Sequence, residues 1–197
     1  DYDFGGGTFE YALRIQEVYG AAEFPTNPIV ITELRFRPNV NGMTPFSTTI
    51  SNIEVHLSTT SAHWDQLNNT FATNVSANDT IVLQGPLNIS SAVTGPAGGP
   101  KDFDIIVPLT TPFVYNPAAG NLMLDIRNYT GSGSASVYLS GSANGSDDCS
   151  RAVAVGNPDS TTTSFQDSGI DALEVVYQPT NVAVVAPVIT QQPQSRT

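Results

Sequence analysis

The sequence predicts an all-β fold, an antiparallel, jelly-roll-like β-sandwich of about nine strands. Short segments rich in Val, Ile, Leu, Thr and aromatic residues recur along the chain, and several of them alternate apolar with polar residues. Clusters of Gly, Pro, Asn, Asp and Ser separate these segments at intervals of roughly 8–15 residues. No long segment has the periodicity of an amphipathic helix. Regularly spaced short strands of this kind are typical of sandwiches and jelly rolls.

The chain of 197 residues is long enough for one such domain. We expect a leader or edge strand at residues 1–10, the sandwich at residues 11–178 and a linker at residues 179–197. The last segment lacks Gly and acidic residues and is rich in Val and Pro. It is alternatively the first strand of a following domain, or a donor strand that pairs with a neighbouring subunit.

Period-two alternation predicts a strand at residues 12–19. One face of this strand is expected to hold Leu13, Ile15, Glu17 and Tyr19. Residues 20–24 are expected to form a single helical turn that ends at Pro25, since proline cannot continue it.

Two further strands are predicted at residues 28–38 and 48–58. The expected core face of the first comprises Val30, Thr32, Leu34 and Phe36. The second is expected to point inward at Ile53, Val55 and Leu57, and outward at Glu54 and His56.

The middle of the chain contains three predicted strands. The first, residues 79–89, has a bulge or tight bend at Gly85 and Pro86. The other two lie within residues 103–131 and are joined by a turn at residues 116–121. In the second of these, Leu122, Leu124 and Ile126 alternate with their neighbours and are expected to share one face. Prolines cannot donate to a strand ladder, so edges or turns are expected at Pro108, Pro112 and Pro117. Short strands at residues 135–141, 151–156 and 171–178 complete the predicted sandwich.

Four strings along the chain carry a resemblance to a known kind of module. They are LSTT (57–60), TFATNVSANDTIVLQGPL (70–87), FDIIVPLTTPFVYNPAAGNLMLDIRNYTG (103–131) and DDCSRAV (147–153). Residues 11–178 thereby resemble an uncharacterised secreted β-sandwich module of large surface proteins from Verrucomicrobia, Planctomycetes and similar bacteria, which often carry PEP-CTERM-type sorting tails. The resemblance implies an extracellular or cell-surface location and no known activity. Residues 187–197 separately resemble the opening strand of bacterial immunoglobulin-like repeats.

Charge and composition exclude several partners. The net charge is −11 and no basic cluster occurs, so binding to nucleic acid or to an anionic lipid surface would act against repulsion. No apolar run approaches the roughly 20 residues that span a membrane, so membrane insertion is not expected. Cys149 is the only cysteine, which excludes an internal disulfide and a Cys-based metal site. A lysine crosslink of the kind found in some adhesins would have to use Lys101, the only lysine.

The sequence does not predict an enzyme. A Ser-His-Asp site would have to use His56 or His63, and no G-x-S-x-G motif is present. A glycosidase needs two carboxyl groups across a cleft, and Glu33, Glu54 and Glu174 lie in predicted strands. Cross-strand ion pairs explain these glutamates more simply, because the same faces carry Arg35, Arg37, Arg127 and Asp125.

Two groups of residues are candidate binding sites. Exposed aromatic rings can stack on sugar rings, and the candidates for this role are Trp64, Tyr129 and Tyr138, although Trp64 can instead close one end of the sandwich by packing. Calcium takes oxygen ligands from loops, and the best candidates are Asp147 and Asp148. No other cofactor is expected.

Three functions remain open at this point. The first is a non-catalytic structural or adhesive module of a large extracellular or cell-surface bacterial protein. The second is a carbohydrate-binding module that accompanies a polysaccharide-active enzyme. The third is a subunit of an extracellular fibre, joined to its neighbours by strand exchange through the C-terminal segment. The expected partners are therefore a polysaccharide, or neighbouring subunits and domains.

Overall fold

A computed structural model describes residues 2–180, with side chains from residue 6 onward. This part of the chain is all-β and forms three antiparallel sheets that pack as a sandwich, as predicted. The strands are β1 (Tyr2–Gly6), β2 (Leu13–Tyr19), β3 (Ile29–Phe36), β4 (Phe46–Thr60), β5 (Thr80–Ser91), β6 (Ile105–Tyr115), β7 (Asn121–Asn128), β8 (Leu139–Ser142), β9 (Cys149–Val155), β10 (Phe165–Asp167), β11 (Ile170–Asp171) and β12 (Leu173–Pro179). The proposed linker or donor strand beyond residue 180 lies outside the described residues.

A six-stranded sheet with the order β10-β9-β2-β7-β4-β5 forms one layer. Two three-stranded sheets, β12-β3-β6 and β1-β8-β11, contribute apolar side chains to the same core. Three short 3-10 turns lie at Ala21–Glu23, Phe71–Thr73 and Pro117–Ala119, the first of them at the predicted helical turn. Within residues 2–180, no helix is long and apolar enough to cross a membrane.

The described chain has twelve strands rather than about nine, because β1 lies in the predicted leader or edge strand and two other strands are very short. Strands β1, β10 and β11 contain 5, 3 and 2 residues. Alternation cannot be recognised over two or three residues, so the sequence pattern misses β10 and joins β11 to β12. The predicted strand at 135–141 begins only at Leu139.

Alternation correctly predicts the faces of the central strands. Residues Leu13, Ile15 and Tyr19 of β2 and Leu122, Leu124 and Ile126 of β7 all join the main core. Strand β4 contributes Ile53, Val55 and Leu57, as predicted. Neighbouring residues on these strands face the opposite side of the sheet, where Met123 belongs to a separate, smaller cluster.

The predicted core face of β3 is wrong in its first half. Ile29 and Ile31 are buried with Leu34 and Phe36, whereas Val30 and Thr32 are only half-buried. The pairing of β3 with β6 shifts between Ile31 and Glu33, because Ile31 opposes Phe113 while Glu33 opposes Pro108. This irregularity changes the phase of alternation inside the strand, and the sequence pattern alone does not reveal it.

The two strands within residues 103–131 belong to different layers. Strand β6 pairs with β3, while β7 pairs with β2 and β4, so the turn between them carries the chain from one layer to the other. Strand β6 is an edge strand, which accommodates Pro108 and Pro112 as predicted. The expected bulge near Gly85 is also present, since Ile50 opposes Leu87 and Ile53 opposes Gly85.

The sandwich is closed along one side and open along the other. The edge strands β5 and β6 meet, and Thr110 Oγ1 donates a hydrogen bond to the Val82 carbonyl oxygen at 3.0 Å. On the opposite side, β10 and β12 are the outermost strands of their sheets and do not pair with each other. A cavity of about 600 Å³ lies there, called the groove below, with β12 on one side and Tyr19 and Cys149 on the other.

The turn between β6 and β7 depends on Gly120, which has φ +141°. A Cβ atom added there would lie 2.4 Å from the Thr60 carbonyl oxygen. We therefore expect Gly120→Ala to destabilise the domain by on the order of 2 kcal/mol, because both the backbone and the contact become strained. Urea unfolding of the wild type and of Gly120→Ala measures this loss of stability.

Gly145→Ala is the matched control, since an added Cβ there meets only Ser168 Cβ at 4.0 Å. Equal unfolding midpoints for the two variants would contradict this account of the turn.

Candidate functional site

The outer face of the six-stranded sheet carries a buried polar network around Asp125 of β7. Arg14 of β2 donates to both carboxylate oxygens, with Nε–Oδ1 at 3.1 Å and Nη2–Oδ2 at 2.6 Å. Gln16 Nε2 donates to Oδ2 at 2.8 Å. The Asp125 residue is 3% exposed. These three donors allow a carboxylate to be buried here, because an unpaired one would cost several kcal/mol.

Residues 61–78, called the excursion below, fold over this network between β4 and β5. Gln16 Nε2 also donates to the Phe71 carbonyl oxygen at 3.1 Å, and Asn74 Nδ2 donates to Gln16 Oε1 at 3.0 Å. The Arg14 guanidinium carbon lies 4.5 Å from the centroid of the Phe71 ring. The polar face of β2 thereby fixes the position of the excursion.

The excursion places Trp64 against a small apolar cluster on this outer face. The cluster consists of Val18, Leu67, Phe71, Met123, Ala152 and Ala154. Trp64 packs against it but remains half-buried. The Ser150 hydroxyl donates to the Trp64 carbonyl oxygen. The His63 ring lies over the indole, with centroids 3.8 Å apart and planes at 32°. Packing against this cluster therefore explains why part of the Trp64 side chain is buried.

The rest of Trp64 lines a cavity of about 300 Å³ at the edge of β9, called the edge notch below. Its polar lining includes Asp65, Ser150, Arg151, Gln166 and Asp167. Strand β10 covers only Arg151–Val153 of β9, so the beginning of β9 is left open at this edge. The notch thus combines an aromatic ring with several hydrogen-bonding groups in a concave site.

Arg151 and Asp167 form a fixed pair in the notch. Arg151 Nε donates to Oδ1 at 2.8 Å and Nη2 donates to Oδ2 at 3.1 Å. Partial burial alone would raise the pKa of Asp167, but the Arg151 guanidinium and the Gly169 N–H lower it. Asp167 therefore stays ionised at neutral pH and serves as a hydrogen-bond acceptor.

The three aromatic candidates from the sequence do not form one site. Tyr129 follows β7 next to the beginning of β2, and its hydroxyl donates to Asp159 Oδ1 at 2.9 Å. Tyr138 lies close to Tyr11, with the hydroxyl oxygens 2.9 Å apart. Trp64 lies near the other end of β2. At ~3.3 Å per residue, the two ends of this strand are about 20 Å apart. Neither tyrosine lines the edge notch.

Asp147 and Asp148, the calcium candidates, lie in the loop before β9. Asp147 lines the groove, and both of its carboxylate oxygens are shielded without a hydrogen-bond partner among the described residues. Asp148 adopts a left-handed backbone conformation with φ 57°. Within residues 2–180, no group of three or more His, Cys, Asp or Glu side chains is placed to hold a metal ion. Calcium binding stays a prediction.

The candidate catalytic glutamates lie in ion pairs, as the sequence analysis anticipated. Arg127 Nη1 contacts Glu54 Oε1 at 3.2 Å, and Arg35 contacts Glu33 and Glu174 at 2.5 and 3.2 Å. The pairing of Asp125 with Arg14 was not anticipated.

Both histidines also have carboxylate partners. His56 lies 2.7 Å from Glu54 and 3.1 Å from Asp79. Burial alone would lower the pKa of His56, but these two hydrogen bonds raise it overall. His63 contacts Asp65. The Ser150 hydroxyl nearby donates to a main-chain carbonyl group, so the hydrogen bonds of this region do not form a Ser-His-Asp relay.

Cys149 forms a wall shared by the edge notch and the groove. Burial, followed by the nearby carboxylates of Asp147, Glu23 and Glu17, raises the pKa of its thiol to about 12, although the Gly20 N–H opposes this. A thiol in this state is a poor nucleophile at neutral pH.

Two carboxyl groups lie together inside the core, and sequence reasoning anticipated only one of them. Glu17 and Asp171 are both 0% exposed, and the Asp171 N–H donates to Glu17 Oε1 at 2.9 Å. Burial, then the charge of Asp171, raises the pKa of Glu17 to about 8, and burial raises that of Asp171 to about 6. The only sequence signal was a glutamate on the apolar face of β2.

Comparisons of the chain with models of protein families, with curated proteins and with solved structures gave no match.

The buried acids predict a stability that falls as the pH rises. Unfolded Glu titrates near about 4.3, and the folded state holds the proton of Glu17 up to about pH 8. This stabilisation is complete below the unfolded pKa and is lost as the pH rises through the folded pKa. His56, whose pKa is also raised, acts in the same direction.

Glu17→Gln removes one of these titrations, so it should reduce the fall in unfolding free energy between pH 5 and 8 by on the order of 2 kcal/mol. Urea unfolding at several pH values measures this. Glu174→Gln, in an exposed ion pair, should leave the pH dependence unchanged. If the unfolding free energies of the wild type and of Glu17→Gln changed equally with pH, Glu17 would not be the group that retains a proton in the folded state.

Proposed function

We propose that this chain is a non-catalytic adhesive module of a large extracellular or cell-surface bacterial protein, and that it holds a polysaccharide chain at the edge notch. The proposal combines the structural role with carbohydrate binding. Of the three aromatic candidates, it assigns the contact with the sugar to Trp64. The resemblance to secreted bacterial modules supports the location. The low content of charged residues, 13%, is compatible with a surface of Ser, Thr, Asn and Gly.

The observation that carries the proposal is the position of Trp64 beside fixed polar groups. Sugar rings present an apolar face that packs on aromatic rings, and hydroxyl groups that bind carboxylates and amides. Trp64 supplies the ring, while Asp167 and Gln166 supply an ionised acceptor and an amide. A cavity of about 300 Å³ is near the lower end of the range for small-ligand sites. This size suits one or two sugar units of a longer chain.

His63 lies over the indole and would have to move for a sugar ring to stack there. Its side chain is 48% exposed and its ring contacts Asp65, which is 59% exposed. Exposed ion pairs of this kind contribute little stability. Displacement of His63 by a ligand is therefore energetically cheap, and it makes Trp64 available on its solvent side.

The ionised state of Asp167 supports binding rather than catalysis. A glycosidase needs one carboxyl group that remains protonated to act as general acid. Asp167 is held ionised by Arg151. The carboxyl groups with raised pKa values, Glu17 and Asp171, are fully buried and do not line the edge notch.

Trp64→Ala should weaken binding to the polysaccharides that the wild-type protein retains by at least about tenfold, because aromatic residues at the centre of a site carry much of its binding energy. A glycan array identifies the retained polysaccharides, and affinity gel electrophoresis compares the variants on them.

Tyr138→Ala is the matched control, since it removes an exposed aromatic ring at the other end of β2 and should leave binding unchanged. Wild-type protein that binds no glycan on the array would overturn the proposal, as would undiminished binding by Trp64→Ala.

A further inference from the structure

A buried threonine and a buried aspartate meet between the two ends of the described chain. Thr8 Oγ1 and Asp171 Oδ2 are 2.5 Å apart, although the residues are separated by 163 positions. Thr8 is 1% exposed and Asp171 is 0% exposed. Thr8 follows β1, and Asp171 is the last residue of β11. A hydroxyl group and a carboxyl group are therefore held in contact with almost no exposure to solvent, in a region where Asp171 also borders the groove.

The surroundings of Asp171 favour an uncharged side chain. Its Oδ1 atom is buried and has no hydrogen-bond partner among residues 2–180. A charged carboxylate oxygen in this situation carries a large desolvation cost, whereas a neutral carbonyl oxygen carries a much smaller one. The backbone of Gly6 packs against the same atom, since a Cβ added to Gly6 would lie 1.9 Å from it. Little space remains for water beside Oδ1.

Glu17 supplies a second acid at the same place. It accepts the Asp171 N–H at 2.9 Å, and the Tyr19 hydroxyl lies 3.0 Å from its other oxygen. Burial raises the pKa of Glu17 to about 8 and that of Asp171 to about 6, so Asp171 is protonated in part of the molecules at neutral pH and in most of them below pH 6. The Asp171 carboxyl group can thus be in the protonated form that reacts with an alcohol.

We propose that the Thr8 hydroxyl and the Asp171 carboxyl group condense to an ester, which covalently joins the N-terminal strand region to the C-terminal one. Thr8 Oγ1 forms a bond to Asp171 Cγ, and the Cγ–Oδ2 bond breaks. The hydroxyl proton of Thr8 passes to Oδ2, which already holds one proton and leaves as water. Oδ1 remains as the ester carbonyl oxygen. No oxidant, reductant or other reactant is needed.

Two physical effects drive this reaction in the folded protein. The fold holds the hydroxyl and carboxyl groups in contact, so they need not meet by diffusion. In intramolecular reactions such contact is equivalent to a very high local concentration of one group around the other. Exclusion of water opposes hydrolysis of the product. The ester also removes the buried charge of Asp171 and leaves Glu17 as the remaining acid of the pair. Lys101, the only lysine, takes no part, since its Nζ donates to the Pro96 carbonyl oxygen on the surface.

The intact mass of the purified, folded chain tests the proposal. We expect a mass lower than that of the sequence by one water, and tandem mass spectrometry of a digest should identify a linked pair of peptides containing residues 8 and 171. Hydroxylamine at alkaline pH should cleave this link. A folded chain with the full sequence mass would overturn the proposal. So would a water loss confined to the peptide of Asp171 and Ala172, since that product is a succinimide.

Two variants complete the test. Thr8→Val retains the shape of the side chain without the hydroxyl group and should have its full sequence mass. Thr48→Val removes a hydroxyl group that donates to the Ser132 carbonyl oxygen, and it should retain the water deficit. A deficit that persists in Thr8→Val would overturn the assignment. Because the mass of the wild type decides the main question, the result does not depend on whether Thr8→Val folds.

Discussion

Burial of β2 on both faces is the constraint on which the rest of this structure depends. All seven of its residues are buried, although it carries Arg14, Gln16 and Glu17. The inner face packs in the main core, and the outer face needs hydrogen-bond partners. Asp125 and the excursion supply these partners, so the polar residues of β2 determine where residues 61–78 lie. A strand with a purely apolar outer face would leave that segment without these anchors.

The open side of the sandwich determines where the two cavities lie. Strands β5 and β6 close one side of the sandwich, whereas β10 and β12 leave the other side open. The edge notch and the groove both lie on this open side and share Cys149 as a wall. Trp64 reaches the notch because the excursion is anchored on the outer face of β2. The sheet is thus the scaffold, and the edge notch is lined by the excursion together with residues of β9 and β10.

Alternation along the sequence predicted which face of a strand lies in the core. Most of the contacts that it did not predict join strands that are far apart in the sequence. The faces of β2, β4 and β7 and the inward position of Glu17 followed from period two. Trp64 was recognised as a candidate because it is the only tryptophan and lies in a polar segment. Its partners Arg151 and Asp167 were not recognised, because their contact depends on the pairing of β9 with the three-residue β10. The same holds for Asp171, which reaches Glu17 through the two-residue strand β11.

The fluorescence of Trp64 tests most directly whether the polar face of β2 positions the excursion and the edge notch. Trp64 is the only tryptophan, so its emission reports on this position alone. We expect Asp125→Ala to shift the emission to longer wavelength while the β-sheet circular dichroism is retained, because the excursion loses its anchor and the indole becomes more exposed to water. Glu174→Gln, which alters an exposed ion pair in another sheet, should leave the emission unchanged. Unchanged emission from a folded Asp125→Ala variant would contradict the account.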